Sequence, residues 1–184
     1  MWRFLSWPIL LAALAGVGVF ANAADDDFSP YVDSAGGIAL PDPETVRARW
    51  DHLGTWAVQG EDGVAEFHAV YTQPGTIEAY RDAGAFPDGA VLVKEVRKAA
   101  AGSLTTGQVS WGGAEVLWFV MVKDRRDRFP GNPRWAEGWG WALFLAEDPA
   151  TDVATDFRVD CMACHEPARS SEWVYTQGYP VLRD

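Results

Sequence analysis

The sequence predicts an α+β fold: a β-rich domain with an antiparallel sheet, a few helices and a C-terminal haem-attachment segment. Three observations carry this expectation. A series of apolar stretches rich in valine or aromatic residues is bounded by turn residues, as strands are. Short stretches with proline and an acidic residue near their starts read as helices. Near the C-terminus, Cys161-Met162-Ala163-Cys164-His165 has the C-x-x-C-H spacing by which a c-type haem is attached.

In chain order, residues 1–23 read as a signal peptide. Arg3 is followed by an apolar run from Ile9 to Phe20 and a small-residue site, Ala21-Asn22-Ala23. The alternative, an uncleaved anchor, meets the difficulty that the run falls short of the roughly 18 to 20 residues a span requires. After cleavage no stable membrane insertion is expected. Residues 24–43 are acidic and rich in Gly and Pro, and read as a flexible leader. The stretch from Pro43 to Trp50 opens on Pro and Glu and reads as a helix, and a second runs from Gln73 to about Gly84. Strands are expected at 56–59, 64–71, 90–97, 107–111, 116–123 and 139–145. A further helix is expected from about Asp156 to Ala168, carrying the cysteines.

The C-x-x-C-H motif has a chemical reason. Two thiols reach the two vinyl groups of one porphyrin, and the adjoining histidine offers a neutral imidazole to the iron. A redox C-x-x-C would want a thioredoxin-like setting, and a zinc site a further ligand pair. Cys161 and Cys164 are the only cysteines. One covalently attached haem c is therefore expected, with His165 as the metal ligand. Such haem is attached outside the bacterial cytoplasm, which agrees with export to the periplasm.

The formal charge of −11 argues against nucleic acid or anionic membrane as partners, leaving a small neutral ligand or a basic redox partner protein. Ordinary solubility explains the charge equally well. In the small all-helical electron carriers the motif comes early and a downstream methionine completes the iron. Here residues 166–184 hold neither Met nor His, and Met121 sits among residues that read as core. An open face on the iron is expected, and simple electron transfer ranks below ligand or substrate binding.

The motif followed by Trp173-Val-Tyr-Thr-Gln-Gly-Tyr-Pro-Val-Leu-Arg183 resembles the C-terminal signature of the cytochrome P460 family, which includes the cytochromes c′-beta. Phe86-Pro-Asp-Gly-Ala-Val-Leu-Val-Lys-Glu-Val-Arg97 is similar to its lysine-bearing strand, and the turn Val122-Lys123-Asp124 also fits. The resemblance makes residues 44–184 the haem domain and implies one five-coordinate c-type haem, often in a homodimer. It also implies either of two activities. One is oxidation of hydroxylamine or a related small nitrogen compound; the other is binding of nitric oxide without turnover, as a sensor or scavenger.

Strand alternation places Lys94 on a face with Ala90, Leu92 and Val96, where a lysine is costly unless it snorkels, pairs or is chemically changed. In the hydroxylamine-oxidising members the lysine of this motif is joined to the porphyrin edge. Lys94 is the candidate for such a cross-link, and an ammonium reaching water at the sheet edge is the alternative. Those enzymes also carry a distal carboxylate. An ungapped count back from Val122-Lys123-Asp124 puts Phe119 there, as an apolar distal cap. Glu115 shares its face if the strand continues, and is the alternative carboxylate. His68 is either a pocket base or an exposed residue paired with Glu66. His52 is expected at the surface. The run from Asp124 to Arg128 is expected to be a solvated turn, with a propionate contact by one arginine as the alternative.

Overall fold

Alternating residues along the strands bury both faces of one antiparallel sheet, which sets the architecture. The computed structural model describes residues 28–183, so the expected signal peptide and residues 24–27 of the leader lie outside them. The chain runs α1 (Pro43–Arg49), β1 (Asp51–Gly60), β2 (Gly63–Thr72), α2 (Thr76–Ala83), β3 (Val91–Leu104), β4 (Gly107–Lys123), β5 (Trp135–Ala136), β6 (Trp139–Leu145) and β7 (Asp148–Asp152). It then continues through α3 (Phe157–Asp160), α4 (Met162–His165) and short 3-10 segments at Glu166–Ser171, Thr176–Gly178 and Pro180–Leu182. The 7-stranded sheet has the order β1-β2-β3-β4-β6-β5, with β7 paired to β6. Among the described residues no helix is long and apolar enough to cross a membrane.

Each central strand divides its side chains between two half-cores, as a two-residue period requires. Ala90 and Leu92 of the β3 stretch, Met121 of β4, and Trp139 and Trp141 of β6 pack under the C-terminal segments with Phe157, Trp173 and Val174. Val91, Val93, Trp118, Val120, Val122 and Phe144 pack on the other face with Val46 of α1 and Ile38. Asp42 caps α1 by accepting from the Thr45 amide at 2.8 Å. α2 stops at Gly84 in the left-handed conformation, where the absence of a Cβ removes the usual penalty.

The structure corrects three sequence expectations. From Phe28 onward the leader is seated on the domain: Val32 bridges Ile38, the Trp135 indole donates to the Gly36 carbonyl at 2.8 Å, and Ile38 is buried. Its aromatic and aliphatic residues cover the second face, which outweighs its loop-like composition. The expected strands 107–111 and 116–123 are one, because β3 continues to Leu104 and pairs with β4 across Gly112 and Gly113. The turn after β4 is not solvated throughout. The buried Asp124 carboxylate accepts from the Arg128 amide and guanidinium at 2.7 Å each, and Arg128 also pairs with Asp88 at 2.6 Å.

The last 3-10 segments lie against β1 at a backbone approach that only glycine permits. A Cβ at Gly54 would run into the Gly178 carbonyl oxygen, and one at Gly178 would run into the Trp56 indole. Gly54→Ala should therefore lower stability by about 1–3 kcal/mol, the usual cost of overpacking. Denaturant unfolding checks this; an unchanged midpoint would show that this approach is not tight.

Candidate functional site

The cysteine motif lies on broken helix rather than on the single helix expected for 156–168. Asp156 caps α3, accepting from the Arg158 amide at 2.7 Å, and the buried Phe157 anchors it. Asp160 turns its carboxylate back to the Thr155 amide and hydroxyl and the Asp156 amide, at 2.7, 2.9 and 3.1 Å. Cys161 interrupts the helix with φ −126° and α4 resumes, the His165 amide donating to the Cys161 carbonyl at 3.2 Å. That four-residue return puts Cys161 and His165 on one side. Cys161 is buried and Cys164 exposed.

The segment C-terminal to His165 fixes its ring. Nδ1 lies 2.7 Å from the Trp173 carbonyl oxygen. With that nitrogen donating, Nε2 keeps its lone pair, which is how protein histidines are commonly set up to bind a metal. Trp141 meets the ring edge-on at 4.8 Å between centroids, and Tyr175 stands 6.2 Å away. Burial pulls the imidazole below its ordinary pKa, only partly opposed by the Trp173 bond, so the neutral ligand form is favoured. Burial also pushes the Cys161 thiol up to about 12. A thiol so disposed is not a ready thiolate ligand for a bare metal ion. Among the described residues no group of three or more His, Cys, Asp or Glu could hold one.

The Trp173 carbonyl is aimed by a strained turn. Glu172 and Trp173 both have positive φ, 57° and 66°, in a region non-glycine residues rarely occupy. The strain is held by contacts to the sheet and the 84–90 loop. Glu172 accepts from the Phe86 amide at 2.9 Å, pairs with Lys123 at 2.7 Å, and its carbonyl accepts from the Trp139 indole at 2.9 Å. Sequence reasoning missed Glu172. Its only signal was a position just before Trp173 and a buried-strand lysine, Lys123, in need of a partner.

The motif and the facing sheet enclose a cavity of about 480 Å³. Cys161, Cys164, His165, Tyr175, Gln177 and Tyr179 contribute from the C-terminal side, and Trp56, Val58, His68, Val70, Leu92, Lys94, Phe119 and Met121 from the sheet. Lys94 lies between Val70 and Phe119 in register, its ammonium 4.0 Å from the Phe119 ring centroid. Burial draws this ammonium below the ordinary lysine range, with Cys164, Cys161 and Glu66 pulling the other way. His68 lines the cavity half-buried, not exposed, and is paired with Glu66 at 3.1 Å. His52 is exposed, as expected. Met121 belongs to the core and touches the cavity as well.

Glu115 is elsewhere, which corrects its candidacy as the pocket carboxylate. Val96 pairs with Leu117 but Arg97 pairs with Glu115, leaving Val116 as an inserted residue. Such a bulge reverses the faces beyond it. Glu115 joins Arg47 and Arg97 around the buried Glu95, where Arg47 and Arg97 reach Glu95 at 2.8 and 2.9 Å.

The sequence profile of cytochrome P460 matches residues 43–176. The chain belongs to the cytochrome P460 family. Haem is accordingly its cofactor, and no curated protein matches the chain. The cavity suits haem: apolar walls for a macrocycle, two thiols on one rim and an oriented imidazole beside them. In this P460 domain the Glu172 anchor supports the turn that orients His165 at the cavity. Glu172→Gln in the haem-loaded protein should cost about 1–3 kcal/mol, because the Lys123 ammonium stays buried without its carboxylate. Adding Lys123→Met should recover part of that loss, since no buried charge then remains. Equal unfolding midpoints for the single variant and wild type would contradict this account of the turn.

Proposed function

We propose that this is an exported, periplasmic mono-haem c-type cytochrome that oxidises hydroxylamine or a related small nitrogen compound and passes the electrons to an external acceptor protein. Cys161 and Cys164 would hold the haem through thioether bonds, and His165 would bind its iron. When bound, the haem would supply a redox-active iron.

The chain's own residues prepare the site. Trp173 orients His165, and Trp141 limits rotation of the ring. Val58, Val70, Leu92 and Phe119 keep the sheet wall apolar, which limits water and strengthens the few polar interactions inside. The observation that carries the enzymatic reading is Lys94, a lysine in the cavity wall whose largest perturbation is desolvation. Apolar neighbours in the cavity wall leave its ammonium poorly solvated. That desolvation favours the free amine, the form able to make the family's bond to the porphyrin edge.

A second reading has its own support. Phe119, opposite Lys94, cannot accept a proton, and Glu115 faces away. An apolar wall favours an uncharged diatomic, and nitric oxide binding without turnover is the alternative. Lys94→Ala separates the two. If the protein is the enzyme, this variant should lose hydroxylamine oxidation with an artificial acceptor, change its ferrous absorption to that of an ordinary five-coordinate c-type haem, and still bind nitric oxide. Identical spectra for wild type and Lys94→Ala, with no hydroxylamine consumed by either, would favour the binder.

A further inference from the structure

We propose that His68, held by Glu66, accepts a proton from the small nitrogen compound bound in the cavity. This rests on the reading of the cavity as a reaction site. It answers the question Phe119 raises, namely where a proton goes when no carboxylate occupies that wall.

The other titratable groups lining the cavity are committed. His165 bonds the Trp173 carbonyl, Asp160 closes its own turn on Thr155 and Asp156, and the Tyr175 hydroxyl donates to the Cys164 carbonyl at 2.5 Å. Tyr179 is engaged with Trp56. The cysteines belong to the haem, and Lys94 to its link. His68 remains. Its Nε2 lies 3.1 Å from Glu66 Oε2, and the tautomer donating there leaves Nδ1 as an acceptor.

Glu66 is well placed to support the resulting charge. Lys98 holds its other oxygen at 2.7 Å, and the bonds from Lys98 and His68 keep its carboxyl below the usual range. A base oriented by a carboxylate is a recurring arrangement for proton transfer. The register places His68 opposite Trp56 on β1 and Val96 on β3, making it the diagonal neighbour of Lys94, about 7–8 Å away in such pairs. The side chain is 23% exposed, so a proton received inside can leave to water. The charged and titratable groups around it are Glu66 on its own strand, Lys94 and Lys98 from β3, and Asp160, Tyr175 and Tyr179 from the C-terminal segments. In the step itself one N–H or O–H proton moves to His68 Nδ1 and no electron moves. The resulting imidazolium pairs with Glu66 and then releases the proton to solvent.

The test uses haem-loaded wild type, His68→Gln and Glu66→Gln, with two probes monitored by haem absorption in rapid mixing across pH 5–9. Hydrogen cyanide must lose a proton on binding, and nitric oxide has none to lose. His68→Gln should slow cyanide association by about ten-fold or more, with nitric oxide association unchanged within about two-fold. Glu66→Gln should also slow cyanide association, by less than His68→Gln does, because the imidazolium loses its carboxylate partner, with nitric oxide association again unchanged within about two-fold. Hydroxylamine turnover in His68→Gln should fall by about 100-fold with little change in KM. Parallel changes for cyanide and nitric oxide, or none for either, overturn the proposal. A cyanide-specific effect in a protein that turns over no hydroxylamine supports His68 as proton acceptor and overturns only the enzymatic reading.

Discussion

The hydrogen bond between His165 and the Trp173 carbonyl is the constraint on which the site depends. It fixes which imidazole nitrogen is free, and it does so with a backbone atom, which cannot rotate away as a side chain could. That carbonyl points correctly only because Glu172 and Trp173 accept an unfavourable backbone conformation. The strain persists because Glu172 is tied to Lys123, Phe86 and Trp139, three positions on the rigid part of the domain. The sheet thus reaches through one glutamate to orient the imidazole beside the cysteines.

The same sheet supplies the opposite wall. Being covered on both faces, it can spare one patch of one face for a cofactor while the other half-core secures the strands. Within that patch the register sets Val70, Lys94 and Phe119 side by side on neighbouring strands. A lysine in this row is desolvated by its neighbours and rests against an aromatic ring. Its desolvation therefore comes from strand pairing. Beyond the bulge at Val116 the faces exchange, and the acidic and basic residues gather into the Arg47–Glu95–Arg97–Glu115 cluster on the far side. The bulge keeps Glu115 out of the sheet side of the cavity wall.

The sequence was legible wherever a short local rule governs. The C-x-x-C-H spacing, the alternation that sets Lys94 with Leu92, and the ungapped count to Phe119 all concern a few neighbouring residues, and each of these residues borders the cavity. It was illegible where a distant partner decides. The bulge that turns Glu115 away depends on how β3 pairs with β4, and nothing in the local pattern at Val116 announces it. The stretch from Phe28 to Pro43 has the composition of a loop, but Trp135 and Phe129 give its aromatic residues a surface to cover. Glu172 looks like an ordinary polar residue until Lys123, far away in sequence, is found beside it.

We propose that the sheet and the C-terminal segments hold one haem through Cys161 and Cys164. Tryptic digestion of the haem-loaded protein under denaturing conditions, with mass measurement of the peptides, tests it most directly. Cleavage after Arg158 and Arg169 releases residues 159–169, which contain both cysteines and His165. This peptide should retain the mass of one haem and resist alkylation at both sulfurs. Recovery of the peptide at its unmodified mass, with both thiols alkylated and the haem free in solution, would contradict the claim.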